Sequence, residues 1–473
     1  MSELRVLFAT AELRPAVGVG GLGEAAGGLV RALRSLGVDV EAVLPDYLGW
    51  ELEDERVDEL DVPAWAGPAR ARTGVLGDTG RVTLVEAAGL ARPHPYLQPD
   101  GSGWPDNDHR FASFSAAVAA LARLRRPDVV HLNDWHTALT LGLLHPAPPT
   151  VLTIHTLGYQ GVTGPEWAAR LPHHGERYLW HGATNPLAGA IALADRIVSV
   201  SPTYAREILT PEHGMGLHDL LRTRADALEG IRNGIDAEAW NPGTDSNLAS
   251  AFDASDPDGK VRCRAALLRE LAWPDTGDPV ACMVTRLVDQ KGVDVALGAV
   301  PYLEHLRCRL VVLGSGDAWL ADWARAASAE RPDWVRFIDG YDATLAHRLF
   351  AGSDLLLMPS RFEPCGLAQM QAMAYGTLPV VSDVGGLHDT VVDADDDRDN
   401  GTGFVTRTTD LAGLVDGLHR AVRAWRHPAR RRAIMRRGMS IDWSWTTPAE
   451  RHVAIYTELA RRDGGLAKNS AEY

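Results

Sequence analysis

The chain has 473 residues, 45% of them hydrophobic, and 62 acidic against 47 basic side chains leave a formal charge of −15. At roughly 150 residues per domain this length allows two or three domains with well-buried cores, and so acidic a chain repels polyanions, which argues against nucleic acid as a partner. Only Lys260, Lys291 and Lys468 among the bases are lysines; the rest are arginines.

The first apolar stretch, residues 6–9, is too brief for a signal-peptide core and reads as a strand. The longest weakly polar run, residues 186–194, is interrupted by Gly189 and falls short of the ~18 apolar residues of a membrane span. No membrane partner is expected. Cys263, Cys282, Cys308 and Cys365 include no two-residue-spaced pair and read as reduced thiols of a cytoplasmic protein.

Val/Ile/Leu-rich runs then alternate with longer helical patterns, at residues 6–9, 40–44, 82–85, 129–132, 151–155 and 197–200, and again at 280–284, 310–313, 335–338, 355–358 and 378–381. Near-continuous apolar strands separated by helices predict an α/β protein with parallel sheets covered on both faces. A polar stretch at 241–260 marks the expected domain boundary. In such sheets ligands bind at the carboxyl ends of the strands, and nearly every strand here is followed by glycines or polar groups, which predicts one large cleft between two domains.

After the first strand, Gly18, Gly20 and Gly23 match the dinucleotide fingerprint, with Asp46 as a possible ribose ligand. In nicotinamide enzymes the first glycine follows the strand almost at once, whereas here residues 10–17 intervene, so a dehydrogenase is disfavoured. The small residues still let backbone N–H groups approach a ligand at the start of a helix expected over 24–36; the plainer alternative is a tight turn. Asp134, Trp135 and His136 form a polar and aromatic cluster suited to a sugar, Asp134 alternatively capping a helix. His155 ends another strand, where a histidine is commonly a satisfied core residue.

In the second half, Arg286 and Lys291 stand in the loop after residues 280–284, with Gly292 opening a helix. Two fixed cations there suit a diphosphate and the charge that develops on it as a leaving group. Glu363, just past residues 355–358, can accept sugar hydroxyls or cap a helix. Gly385 and Gly386 repeat the strand–glycine–helix pattern. Asp106/Asp108 and the acidic run 393–399 are the only candidate metal sites, and the run reads as a solvated loop; no metal is expected. Arg430, Arg431, Arg432, Arg436 and Arg437 read as a basic, solvated helix face.

Together the segments at 20–24 (GGLGE), 133–136 (NDWH), 153–161 (TIHTLGYQG), 201–208 (SPTYAREI), 233–236 (NGID), 285–292 (TRLVDQKG), 359–369 (PSRFEPCGLAQ), 375–381 (YGTLPVV) and 385–391 (GGLHDTV) resemble the bacterial glycogen synthase and plant starch synthase family. The resemblance implies a GT-B fold: a Rossmann-like N-terminal domain over 1–245, a second over 246–440, and a helix at 441–473 crossing back to the first. It implies glucose transfer from ADP-glucose to the non-reducing 4-hydroxyl of an α-1,4-glucan, with retention and with no cofactor beyond the substrates. Carried onto matching positions, Glu363, His155, Arg286 and Lys291 would be catalytic. Gly20, Gly21, Leu22, Glu24, Tyr96, Asp134, Trp135, Asn233, Tyr341, Cys365, Gly366, Leu367, Gly385, Gly386 and Leu387 would bind substrates, Tyr341 by stacking on adenine.

Five positions depart from the family pattern: Gly18 replaces a lysine, Glu24 an aspartate and Thr156 an asparagine, while Ser382 and Asp383 stand where basic residues are common. The lost lysine and the added Asp383 lower the positive potential by the donor. Gly18, Glu24 and Asp383 support an alternative, a related transferase using another nucleotide sugar or a small phosphorylated acceptor. A non-catalytic glucan-binding paralogue is opposed by the retained Arg286, Lys291 and Glu363, and a phosphorylase by the chain length and scarcity of lysine.

Overall fold

The structure is a computed structural model that describes residues 4–469. It divides into two compact units, residues 1–234 with 445–473, and residues 235–444.

Unit 1 is built on a nine-stranded sheet. Its strands are β1 (Arg5–Ala9), β2 (Asp39–Pro45), β3 (Glu53–Leu60), β4 (Ala69–Leu76), β5 (Gly80–Ala87), β6 (Val129–Asn133) and β7 (Thr150–Ile154), followed, after the small hairpin of β8 (Leu179–Trp180) and β9 (Ala183–Thr184), by β10 (Arg196–Ser199) and β11 (Leu228–Gly230). The order is β11-β10-β7-β6-β1-β2-β5-β4-β3, parallel except for the edge pairs β5–β4 and β4–β3. The central strands are apolar and buried on both faces, as a parallel sheet under helices requires. The edge strand β3, EDERVDEL, is exposed along nearly all its length, so it carries no apolar run.

Unit 2 holds a six-stranded, wholly parallel sheet of β12 (Val280–Val284), β13 (Arg309–Gly314), β14 (Val335–Asp339), β15 (Leu355–Met358), β16 (Leu378–Ser382) and β17 (Phe404–Thr406), ordered β14-β13-β12-β15-β16-β17. That is the 3-2-1-4-5-6 order of a doubly wound Rossmann sheet, with its switch point between β12 and β15. In unit 1 the equivalent reversal lies between β1 and β6. The loops leaving these four strands are where each unit is able to hold a ligand.

The N-terminal boundary precedes residue 245 because Asp245 is held in unit 2: its carboxylate accepts from Tyr375 Oη at 2.6 Å and His347 Nδ1 at 2.7 Å, and Trp240 stacks on His347 with centroids 3.8 Å apart. At the other end the chain rejoins unit 1 from Trp445. The helix Thr446–Asn469 buries Ala449, Ile455, Tyr456 and Leu459 in the same core as Leu29, Val30 and Leu33 of the helix Gly21–Ser35. Gly28 makes this packing possible, since a Cβ there would lie 2.0 Å from Trp445 Nε1. Tyr456 Oη also meets His131 Nδ1 of β6 at 2.6 Å.

The acidic run and the basic helix explain one another. Arg420 bonds Asp393 at 2.8 Å, Arg430 bonds Asp395 at 2.5 Å, and Arg437 donates to the carbonyls of Arg398, Asp399 and Gly401. Arginines of the helices Leu411–Trp425 and Pro428–Ser440 thus pin this loop, which corrects the expectation of two solvated surfaces. Asp108 likewise accepts from Thr163 Oγ1 at 2.8 Å and Trp167 Nε1 at 3.0 Å, and Asp106 from Arg92 at 3.0 Å. All four cysteines are buried.

Candidate active site

At the unit 2 switch point, two strand-end loops meet. Gly292, at φ +62°, lets the loop after β12 pass against Pro359 of the loop after β15, where a Cβ would sit 2.0 Å from the Pro359 carbonyl oxygen. This approach brings Lys291 to Glu363: Nζ donates to Oε2 at 2.6 Å, and Ser360 Oγ donates to the same oxygen at 3.2 Å. Glu363 is 4% exposed, so its charge is held by a cation and a hydroxyl, not by the helix-capping geometry that was the plainer expectation. Only one of the two expected loop cations is fixed. Arg286 is exposed, and its guanidinium makes no ion pair among the described residues.

The next loop closes under this pair. The Gly386 N–H donates to the Glu363 carbonyl at 2.9 Å, and a Cβ on Gly386 would lie 2.1 Å from the Cys365 carbonyl oxygen. Cys365 and Leu387 are buried, which leaves their backbone as the part a ligand can meet. Gly366 turns at φ +74° and Gly385 at φ +44°. Leu367 precedes the helix Ala368–Ala374. Tyr341, in the loop after β14, is 72% exposed. Asp383 is occupied by His388, whose Nδ1 lies 2.6 Å from its carboxylate.

In unit 1 the loops after β1, β6 and β7 form a second cluster. The Glu12 carboxylate is 3% exposed and accepts three hydrogen bonds: Val19 N–H at 2.6 Å, Gly20 N–H at 3.2 Å and Tyr96 O–H at 2.6 Å. Two of the amides expected to face a ligand are therefore spent on Glu12. The helix begins at Gly21, three residues before the expected start, so Leu22 and Glu24 lie in its first turn. Gly20 and Gly21 face open space.

Asn133 Nδ2 donates to the Ala9 carbonyl at 2.9 Å, which orients its Oδ1 toward His155 Nε2 at 2.9 Å. His155 thus carries its proton on Nε2 and leaves Nδ1 as an acceptor. Burial lowers its pKa to about 3, so the ring is neutral at physiological pH. Asp134 caps no helix. It sits at φ +52° before a short 3₁₀ turn and accepts the His155 N–H at 2.7 Å. Burial raises its pKa to about 7, against the opposing pull of the His155 and Thr156 amides. Asn233 is buried and lines a small cavity with His155 and Asn133. Beside them, Trp135, Tyr159, Gly161, Val162 and Met215 line an open depression of about 670 Å³. A Cβ on Gly161 would meet the Trp135 ring at 2.3 Å, so glycine seats that loop on the indole.

Residues 5–223 match the family model described as the starch synthase catalytic domain, and residues 269–437 match glycosyl transferases group 1. The chain is 42% identical to a glycogen synthase of Thioalkalivibrio sulfidiphilus, covering 96% of this chain and 100% of that one, and 41% identical to a glycogen synthase of Anaeromyxobacter, covering 97% and 100%. The chain belongs to the glycogen synthase and starch synthase family. Among solved structures, the catalytic domain of starch synthase IV from Arabidopsis thaliana, bound to ADP and acarbose, superimposes with a TM-score of 0.87 at 31% identity over 97% of this chain and 100% of that one. Sucrose-phosphate synthase from Thermosynechococcus elongatus, with a TM-score of 0.63 at 18% identity and covering 97% and 99%, shares the fold. A family member of this kind is a GT-B glycosyltransferase with glycogen synthase function. No helix among the described residues is long and apolar enough to cross a membrane.

Motif reading found the strand-end residues but missed Glu12, Asn133 and Ser360. Asn133 and Ser360 lie inside segments already singled out, each at a strand end, and that position is the signal that would have found them.

Proposed function

We propose that the chain transfers glucose from ADP-glucose to the non-reducing 4-hydroxyl of an α-1,4-glucan with retention, and that the residues above carry it. The observation that supports this most is the Lys291–Glu363 pair at the unit 2 switch point. An ammonium has three donors; with one engaged by Glu363, two remain for oxygens of the donor diphosphate, and Arg286 adds an exposed cation. Glu363 Oε2 takes both protein hydrogen bonds, which leaves Oε1 for a hydroxyl of the donor glucose. Tyr341 offers an exposed ring for the adenine, and the buried Gly385–Leu387 backbone contributes to sugar and phosphate binding.

In unit 1, His155 Nδ1 accepts a hydroxyl of the reacting sugar. The depression at Trp135 and Tyr159 holds glucan rings, the indole supplying an apolar face for a sugar. In the reaction the C1–O bond to the diphosphate breaks and the bond from C1 to the acceptor O4 forms on the same face. A leaving phosphate oxygen takes the acceptor proton, and Lys291 stabilises the charge that builds on ADP. The binding of ADP and acarbose named for the starch synthase IV structure is consistent with these two ligand classes.

Incubating the protein with glycogen and either ADP-glucose or UDP-glucose, while following nucleotide release and chain extension, tests the donor. ADP release that requires glycogen and lengthens its chains is expected; release from UDP-glucose in preference, or from a small phosphorylated sugar as acceptor, would overturn the reading.

A further inference from the structure

Ala449, His452, Tyr456 and Leu459 recur at helical spacing along the helix Thr446–Asn469 and are buried within unit 1. Two of the four are polar, and a buried polar atom costs about 1–3 kcal/mol unless it finds a partner. Tyr456 finds one, since its Oη meets His131 Nδ1 at 2.6 Å while His131 Nε2 meets Thr153 Oγ1 at 2.7 Å. His452, 3% exposed, is only half satisfied. Its Nδ1 donates to the Pro448 carbonyl at 2.8 Å, so Nε2 carries the lone pair, and that atom is buried with no hydrogen-bond partner among the described residues. Burial lowers the pKa of the ring to about 4, so at physiological pH Nε2 remains an acceptor.

His452 lines a small cavity together with Asn133, Thr153, His155 and Asn233, the other walls being mainly apolar. Its volume of about 10 Å³ is the room that one water molecule needs, and a buried water needs two or more polar partners. The strands supply them. His131 and Asn133 alternate along β6, Thr153 and His155 follow the same period along and just past β7, and Asn133 stands opposite Thr153 in the register. Asn133 spends one N–H on the Ala9 carbonyl and one lone pair on His155 Nε2, which leaves its amide a second N–H and a second lone pair. We propose that a buried water in this cavity donates to His452 Nε2 and bonds the Asn133 amide, and that His452 is thereby a positioning residue for His155. It acts through the amide: Asn133 Oδ1 fixes the His155 proton on Nε2 and so keeps Nδ1 as the acceptor. The inference rests on the role proposed above for His155.

A high-resolution crystal structure of the wild type should show a water within about 3.2 Å of His452 Nε2. Nitrogen NMR on protein labelled at histidine should show His155 as the Nε2–H tautomer alone. His452→Phe keeps a ring of similar size and removes the acceptor. It should lose the water, let His155 sample both tautomers and lower kcat roughly 5–20-fold, with the KM values for ADP-glucose and glycogen changed by less than about twofold. His452→Gln, whose side-chain oxygen accepts from the water, should restore the single tautomer and most of kcat. Absence of the water in the wild type, or a His452→Phe protein that melts earlier but keeps both the His155 tautomer and kcat, would overturn the proposal. Should His452→Phe not fold, the wild-type water and tautomer and the behaviour of His452→Gln decide it in the same sense. A His155→Ala protein with near wild-type kcat would instead overturn the role of His155, and the positioning role with it, while the water itself would stand.

Discussion

The two switch points hold their loops by opposite means. In unit 2 the strand-end loops are joined by a charged pair, Lys291 to Glu363, with Ser360 completing the carboxylate's partners. In unit 1 the work is done by neutral rings, amides and two buried acids: His155 against Asn133, the His155 amide on Asp134, and Glu12 beneath the glycine loop. The difference follows from what each unit is proposed to bind. A diphosphate calls for a preorganised cation, whereas sugar hydroxyls are best met by uncharged acceptors and aromatic faces.

Lysine usage sharpens the contrast. Lys260, one of three lysines, is buried in unit 2, where Nζ donates to the carbonyls of Phe350, Ala351 and Tyr375 and lies 2.8 Å from Thr377 Oγ1. Burial lowers its pKa to about 8. A compact ammonium serves acceptors converging on one point, which a planar guanidinium does not. Lys260→Met should cost roughly 3–5 kcal/mol, by leaving these buried acceptors unpaired; a urea midpoint within error of wild type would show that the ammonium is dispensable.

The next largest effect is expected at Gly386. Gly386→Ala forces a methyl onto the Cys365 carbonyl and displaces the segment that carries Glu363. Turnover should fall roughly 10–100-fold with the fold retained, and an unaltered kcat would separate this loop from the Lys291–Glu363 pair.

Unit 1 should reveal its neutral rings through pH. Burial holds His136 and His155 at about 3 and His452 at about 4. The unfolded chain protonates them below about 6.5 while the folded one does not, so each costs about 1.4 kcal/mol of stability per pH unit below that value. Asp134, raised to about 7, acts in the opposite sense: above its ordinary value its charged form is disfavoured by folding, so acidification relieves that cost. With several histidines against one aspartate, thermal stability should fall from pH 6.5 toward 5. His452→Gln should reduce the slope by about one histidine's share, and an identical slope would remove His452 from the account. The smallest change is expected for Tyr96→Phe, which removes one of three donors to Glu12; it should cost about 1–3 kcal/mol and lower the urea midpoint more than it alters kcat.

The sequence made most of this fold legible because parallel, doubly covered strands must be apolar, and residues 6–9, 129–132, 280–284 and 355–358 are. It concealed β3, whose EDERVDEL pattern reflects an edge open to solvent, and the short β11 and β17, whose three residues are too few to show a period. The first boundary was set too late because Asp245 looks like a linker residue until Tyr375 and His347 are folded against it. In the site, residues following a strand were readable from local motifs. Glu12 was not, because its role comes from Tyr96 and the Val19 and Gly20 amides, which only the folded chain brings to its carboxylate.

The account's central claim is that Lys291 and Glu363 act as one unit on the donor, and a double-mutant cycle on kcat for ADP-glucose and glycogen tests it directly. Lys291→Ala and Glu363→Ala should each reduce kcat roughly 10²–10³-fold while circular dichroism stays that of the wild type, and the double variant should lose little more than either single one. A folded single variant that turns over at near the wild-type rate, or losses that simply multiply in the double variant, would contradict it.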